Sequence, residues 1–328
     1  MPRSAGNRRD LSKGWKQLHT YWGGAFEERL EYAHRLTERV LNQHECPVVC
    51  WSGGKDSTVV LHLVRQYKPE IPVIFVDVGV EFQETSRFVT SLSSTWDINL
   101  IIAKPKEGET FWDVCAKYGW PIFGKSIASN VERAVRSGNI RPQMSSLETL
   151  LAKHDARISG RCSEFIRVRP SKRVEKCLNA DLKFLGIRAS ESRGRARLWT
   201  DYGDHYYVKR YFKRKEGIWK ASPISIWTED DIWKYHEMHD IPHCELYDKG
   251  YPRNGCWTCA MGFKHGQLKR LRQGHPLLFK QLITETEMGE ELFRLKKTLM
   301  KHNGTPPPQI ADLERLLELY PDFFDNAE

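Results

Sequence analysis

A short apolar run, Pro47-Val-Val-Cys-Trp51, passes directly into Ser52-Gly-Gly-Lys-Asp-Ser-Thr58, and from there into an amphipathic stretch over Ser57–Gln66 that turns Val60, Leu61 and Val64 to one side. A buried strand that ends in two glycines and restarts as a helix has few structural solutions. The glycines let the backbone turn tightly and approach a ligand without a Cβ clash. The loop N–H groups, the Ser52 and Ser57 hydroxyls and the helix N-terminus then converge on an anion, and the helix dipole adds attraction. Lys55 supplies a positive charge on a long, mobile arm. The Walker A spacing and the dinucleotide glycine pattern are both absent, so neither an ordinary P-loop nor a dinucleotide fingerprint is expected here.

The rest of the chain agrees with such a loop. Val73–Val78, Ile98–Ile102 and Phe184–Ile187 are short apolar runs, expected as buried strands. Helical spacing recurs over Phe26–Gln43 (Leu30, Ala33, Leu36, Val40), Thr85–Thr95, Phe111–Tyr118 and Ser126–Ser137. Strands alternating with helices predict an α/β fold: an open, mostly parallel sheet with helices on both faces. Tyr206–Lys220 is strand-rich and is expected as a hairpin. Thr228 is placed to cap a helix whose first turn carries Glu229, Asp230 and Asp231. After Pro242, Gly, Pro and Cys cluster up to Gly266, and a mainly helical tail follows, interrupted by Pro306-Pro-Pro. The expected organisation is a basic, loosely ordered arm over 1–24, a nucleotide-binding domain over 25–240, and a Cys-x-x-Cys segment with a helical C-terminal region over 241–328.

Composition excludes several classes. No run of about 18 apolar residues occurs, and the mean hydropathy is −0.57, so no membrane span is expected. The basic N-terminus lacks the apolar core of a secretory signal. Eleven Trp, 12 Tyr and 14 Phe supply enough apolar bulk for a packed core rather than disorder. The net charge is +9, but its distribution says more than its total. Between Arg157 and Lys220 there are 18 basic and 7 acidic residues, a balance of +11, so the remainder of the chain sums to −2. Such a segment favours anionic partners.

Eight cysteines and no secretory signal point to a reducing cytosol, not a disulfide scaffold. Cys115 and Cys177 lie in helix-like stretches and Cys50 in a strand-like one, where each is expected to pack in the core. Cys46 stands at a strand entrance. Cys162, Cys244 and the Cys256-Trp-Thr-Cys259 pair remain, and Cys-x-x-Cys suits zinc, an iron–sulfur cluster or a redox disulfide.

The Ser52–Thr58 segment resembles the PP-loop of the ATP-pyrophosphatase superfamily, in which the loop holds pyrophosphate of ATP or of a related adenylyl nucleotide. Val76-Asp-Val-Gly-Val-Glu-Phe-Gln-Glu-Thr85 is similar to the D-T-G-x-x-F-x-E-T segment of phosphoadenosine-phosphosulfate reductase relatives, with Val78 in place of Thr. Arg161-Cys162-Ser163 followed by Arg169-Pro-Ser-Lys-Arg173 resembles the R-W-C-T…K-x-x-P segment of that family, and Gly186-Ile-Arg-Ala-Ser-Glu-Ser-Arg193 its G-I-R-x-x-E-S-x-R segment. Pro223-Ile, Trp227, Asp231-Ile-Trp233 and Leu246-Tyr-Asp-Lys-Gly250 are similar to what precedes its Cys-x-x-Cys. The likeness runs from about Cys46 to Gly262, in family order.

That resemblance implies a nucleotide site at Ser52, Gly53, Gly54, Lys55, Asp56, Ser57, Asp77, Gly79, Arg161, Gly186, Arg188 and Arg193, with Lys55, Asp56 and Arg188 as the catalytic candidates. It implies ATP with Mg2+. Cys162, Cys244, Cys256 and Cys259 are the metal-ligand candidates, for a four-iron (4Fe–4S) cluster or, alternatively, Zn2+. Three cysteines could also hold a cluster with one iron open; Cys244 could equally be a plain buried thiol. Sulfonucleotide reductases attack sulfate sulfur with a Cys in a C-terminal Glu-Cys-Gly motif, and no cysteine follows Cys259 here. The expected function is therefore acceptor adenylation with pyrophosphate release in a sulfur-transfer reaction, on DNA (phosphorothioation) or tRNA (thiolation). A cysteine desulfurase is the implied sulfur donor. Lys209–Lys215, the N-terminal arm and Lys264–Lys280 are the stretches expected to track a polyanion. The alternatives are an adenylyl-sulfate reductase-like enzyme, and a nucleotide-binding subunit of a DNA-modification or defence complex.

Overall fold

The computed structural model describes residues 11–209, 217–259 and 266–303. Strands β1 (Pro47–Cys50), β2 (Val73–Val76), β3 (Leu100–Ala103), β4 (Leu182–Leu185), β5 (His205–Val208) and β6 (Ile218–Ala221) form one sheet in the order β3-β2-β1-β4-β6-β5. Every pairing is parallel except β5 with β6, the expected hairpin, whose connection lies outside the described residues. The helices are α1 (Leu11–Gly23), α2 (Phe26–Leu41), α3 (Lys55–Arg65), α4 (Gln83–Thr95), α5 (Phe111–Tyr118), α6 (Lys125–Ser137), α7 (Ser146–Lys153), α8 (Arg169–Cys177), α9 (Arg193–Tyr202), α10 (Glu229–Met238), α11 (Gln267–Gly274), α12 (Pro276–Thr284) and α13 (Glu287–Asn303).

The chain divides into two compact units. A sheet unit comprises residues up to Val76, Gln83–Ala103 and Ser171–Tyr247; a helical unit comprises Asp77–Phe82, Lys104–Pro170 and the residues from Asp248 on. In the sheet unit, successive strand residues point to opposite faces. Val49, Val73, Phe75, Leu182 and Phe184 pack with Ala33 and Leu36 of α2, Val60 and Leu63 of α3, and Ile232 and Tyr235 of α10. Val48, Ile74, Ala103 and Ile218 form the opposite face, against which Val174 of α8 packs. Helices cover both faces at β1 and β2, which is why these two strands are apolar and mostly buried without alternation. The strand order reverses direction between β1 and β4, and ligands of open α/β sheets bind at the carboxyl ends of strands on either side of such a reversal.

Local chemistry explains several boundaries. Thr228 caps α10 as expected: its side chain accepts from the Asp231 amide, while Asp231 accepts from the Thr228 amide in return. Asp231 does more than cap, since Arg29 of α2 grips both its carboxylate oxygens at 2.8 Å. The stretch expected as a loose arm differs: from Leu11 it is helix α1, with Leu18 fully buried in the core of the sheet unit. An apolar residue on a helix face docks whatever the charge of its neighbours. Residues 1–10 lie outside the described part. Cys177 also differs from expectation. It is the last residue of α8 and is exposed, whereas Cys115 is buried and Cys50 partly so. No helix among the described residues is long and apolar enough to cross a membrane.

Candidate functional site

The Ser52–Thr58 loop leaves β1 and becomes α3. Gly53 has φ +71°, and Gly54 is the N-cap residue, so the first glycine occupies the left-handed region that other residues avoid. The serines brace the turn. The Ser52 amide donates to Ser57 Oγ (3.2 Å), the two hydroxyls stand 3.0 Å apart, and Ser57 Oγ donates to the Gly54 carbonyl (2.9 Å). Thr58 Oγ1 donates to the same carbonyl at 3.0 Å and accepts from the buried Trp51 indole at 3.0 Å. The result is a braced turn at a helix N-terminus, the geometry that suits a phosphate.

Gly186 fixes this loop from the β4 side. A Cβ there would stand 2.7 Å from the Ser57 nitrogen and 2.8 Å from its Cα. Those are backbone atoms, which cannot swing aside. Gly186→Ala is therefore expected to cost about 1–3 kcal/mol of unfolding free energy and to weaken nucleotide binding through the displaced loop. Urea denaturation and nucleotide titration measure both. Gly194→Ala is the control, because its Cβ would meet nothing closer than 3.9 Å.

Three expected residues and one unexpected one close into an ion network within the sheet unit. Arg188 Nε donates to one Asp56 oxygen, and Arg188 Nη2 to Glu229, whose side chain comes from the first turn of α10. Lys55 Nζ reaches the other Asp56 oxygen at 3.3 Å and Glu229 Oε1 at 3.0 Å. Two cations and two carboxylates thus alternate around a ring. Lys55 and Arg188 are both buried. Burial works against the Arg188 charge, but the Asp56 and Glu229 carboxylates outweigh it and raise its pKa. Lys55 also lies 5.2 Å from the Tyr247 ring centre and 6.0 Å from that of Trp233, within cation–π range. The Tyr247 hydroxyl accepts from the Lys55 amide at 3.0 Å, and His236 faces the Lys55 carbonyl at 3.2 Å. Glu229, Tyr247, Trp233 and His236 were not among the sequence-derived site residues. Glu229 had been visible only as one of three acids in a helix first turn, and Tyr247 only as part of a longer matched segment. Arg193 is exposed at the start of α9.

Asp77, Gly79 and Arg161 belong to the helical unit. Asp77 accepts from the Gly79 amide at 3.0 Å and pairs with Lys104 at 3.2 Å; Gly79 has φ +75°. Arg161 donates to Glu132 at 2.7 Å and lies 4.7 Å from the Tyr118 ring centre.

Three of the four singled-out cysteines are in this unit, and Cys244 is in the sheet unit. Cys244 is fully buried, with the Thr85 hydroxyl 4.0 Å from its sulfur, and burial pushes its thiol up. Cys162, Cys256 and Cys259 influence one another. Burial, and after it the neighbouring Cys256 and Cys259, push the Cys162 thiol up to about 12. Burial also raises Cys256, while Arg167 works in the other direction by donating to its sulfur at 3.3 Å. Three soft sulfur donors have the right chemistry for zinc or an iron–sulfur cluster. Their spacing does not match it: among the described residues no set of three or more His, Cys, Asp or Glu side chains is gathered closely enough to hold a metal ion.

Residues 46–261 match the model of the phosphoadenosine phosphosulfate reductase domain. Among curated relatives, an uncharacterised protein of Methanocaldococcus jannaschii is 25% identical over 304 residues, 89% of this chain and 60% of that protein. A phosphoadenosine 5'-phosphosulfate reductase of Xanthomonas axonopodis pv. citri is 29% identical over 202 residues, 61% of this chain and 65% of that protein. The chain thus spans less than two thirds of the length of either relative. Among solved structures, the phosphoadenylyl-sulfate reductase of Candida auris in its phosphate complex is similar at 18% identity and a TM-score of 0.46, over 78% of this chain and 98% of that one. The family match takes in the glycine loop, the Gly186–Arg188 strand end and the Cys256/Cys259 pair, well over half of the sequence. On that match, the chain belongs to the phosphoadenosine phosphosulfate reductase domain family.

Proposed function

We propose that the protein is an ATP-pyrophosphatase-type enzyme that adenylates an acceptor in a sulfur-transfer reaction, with nucleic acid as acceptor. The observation that carries this reading is the Ser52–Ser57 turn at the N-terminus of α3, backed by Lys55 and Arg188 and counterbalanced by Asp56 and Glu229. In this reading the loop amides and the helix N-terminus hold the β- and γ-phosphates. An acceptor oxygen attacks the α-phosphorus, the bond to the bridging oxygen breaks, and pyrophosphate leaves. Lys55 and Arg188 carry the charge that accumulates on the departing oxygens. Because their positions are already fixed by the two carboxylates, little reorganisation is needed. A sulfur nucleophile then displaces AMP from the adenylated acceptor.

Asp56 and Glu229 are the hard oxygen donors beside the loop that suit Mg2+, which when bound neutralises phosphate charge. The sulfur half of the reaction is assigned to the Cys162, Cys256 and Cys259 thiols: one takes up a persulfide sulfur from a donor of the cysteine-desulfurase type, that sulfur displaces AMP, and a second of the three thiols cleaves the resulting S–S bond, leaving a disulfide that a dithiol reductant reopens. As their spacing does not match a metal, no step is routed through a cluster or through Zn2+. The direct test is pyrophosphate release from ATP in the presence of DNA or tRNA and a persulfide donor. Release that depends on both is the expected result; its absence with every combination sinks the proposal.

A second reading has its own support, because several curated relatives are phosphoadenosine 5'-phosphosulfate reductases. In that case the loop holds an adenylyl sulfate and the product is sulfite. Sulfite formation from that nucleotide with a dithiol reductant, without pyrophosphate release from ATP, selects it over the first.

A further inference from the structure

The helical unit carries an open cavity of about 620 Å3 along the C-terminal half of α6 and the loop after it. Asn130, Arg133, Asn139, Arg141, Gln143 and Met144 line it. Ion pairing within residues 104–170 sets two of these apart. Arg136 and Arg161 face Glu132, Arg157 faces Glu287, and Arg169 faces Glu109 and Glu164, while Arg167 donates to Cys256. Arg133 and Arg141 are the arginines of this stretch for which neither a carboxylate nor a thiol partner is found among the described residues. Both are exposed, and both line the cavity. A carboxylate from α7 comes near the wall, yet it is already engaged: Glu148 accepts from Asn130 Nδ2 (2.8 Å) and from the Ser145 amide (2.7 Å) and hydroxyl (3.0 Å).

Two uncompensated guanidinium groups at one concave site favour an anion with oxygens in pairs. The side-chain amides of Asn139 and Gln143 carry donors and acceptors of the kind that meet base edges. The volume is within the range of small-ligand sites and far exceeds a single phosphate ion. We propose that this cavity docks the backbone and one unstacked base of a single-stranded nucleic-acid segment. Single strands fit such a site because their bases can leave the stack and enter a cavity, whereas bases paired in a duplex stay stacked. The inference rests on the nucleic-acid acceptor reading above and adds the surface that engages the polymer. None of the residues lining it belongs to the basic stretches in which the sequence placed polyanion contacts, parts of which (1–10, 210–216 and 264–265) lie outside the described residues.

The test is fluorescence anisotropy of the full chain with labelled single-stranded DNA and RNA, from about 50 to about 200 mM salt. The Arg133→Ala/Arg141→Ala double variant is expected to bind roughly tenfold more weakly, with a log–log salt slope smaller by about 2. Its affinity for ATP stays at the wild-type value. Arg136→Ala, which removes an already paired arginine from the same helix, changes oligonucleotide affinity by less than about twofold. If the wild type binds oligonucleotide and the double variant binds it equally, with the same slope, the cavity assignment is overturned and the acceptor reading stands. If the wild type binds no oligonucleotide while ATP binds, both fall.

Discussion

On the proposed adenylation activity, Arg188→Ala is expected to lower ATP-dependent pyrophosphate release by a factor of about 100 to 1,000, the usual loss when a fixed electrostatic stabiliser is removed from a reacting centre. The side chain is buried and pairs with both the Asp56 and the Glu229 carboxylates. Without it, the two carboxylates share Lys55 alone, and the loop charge shifts from balanced to negative, which disfavours any phosphate. The stability loss is smaller, about 1–2 kcal/mol, because Glu229 and Asp56 keep access to water. Arg188→Lys restores the charge but not the fork, so its rate falls between the two. Steady-state kinetics alongside urea denaturation separate the effects. A variant within about threefold of wild-type release, with stability unchanged, would remove Arg188 from the catalytic set.

The largest stability effect is expected at Arg29, far along the sequence from the loop. Its guanidinium donates twice to Asp231 at 2.8 Å, and also to the Tyr21 and Gly24 carbonyls at 2.6 and 2.7 Å. Both partners are buried, with side-chain exposures of 7% and 5%. Arg29→Ala leaves an uncompensated buried carboxylate and is expected to cost about 3–5 kcal/mol. The pair also gives an acid limb. Burial alone would raise the Asp231 pKa, but the Arg29 and Thr228 hydrogen bonds outweigh it and hold the carboxyl below its ordinary value. A lowered native pKa means stability that is present above the unfolded carboxyl value and lost as pH falls through the native one. Denaturation midpoints should therefore decline below about pH 4. That decline should flatten in Asp231→Asn, which can no longer titrate there. An identical acid limb in that variant would show that other carboxylates govern it.

Fold and site were not equally legible from the chain. A parallel strand such as Val73–Val76, covered on both faces, is apolar throughout, and the alternation of strands with helices was visible without coordinates; Leu182–Leu185 admits Lys183 because its ammonium pairs with Glu175 at 2.7 Å. The Thr228 cap was readable because its chemistry spans only three residues. Helix α1 was obscured because Arg3, Arg8 and Arg9, which precede it, set the basic character of the whole stretch, while a few apolar positions such as Leu18 decide its docking. The Cys177 side chain was misplaced because helical periodicity does not tell the last turn of a helix from its middle.

At the site the division follows the range of the interactions. The glycine loop, Lys55 and Asp56 are contiguous, and the backbone conformation they require is written into Ser52–Ser57 itself; Gly186 and Arg188 were identifiable as a motif. What completes them comes from 41 residues beyond Arg188, where Glu229 enters from α10, and from Tyr247 at a separation of 192 residues from Lys55. An exposed-looking acid in a helix first turn is indistinguishable in sequence from an ordinary dipole-compensating one. Only the packing of α10 against α3, through Ile232 and Tyr235 in the shared core, turns Glu229 toward two cations. Short-range backbone geometry is encoded locally and can be read locally. The charge balance of a site is a sum over residues that meet only when the sheet closes, and it belongs to the tertiary structure.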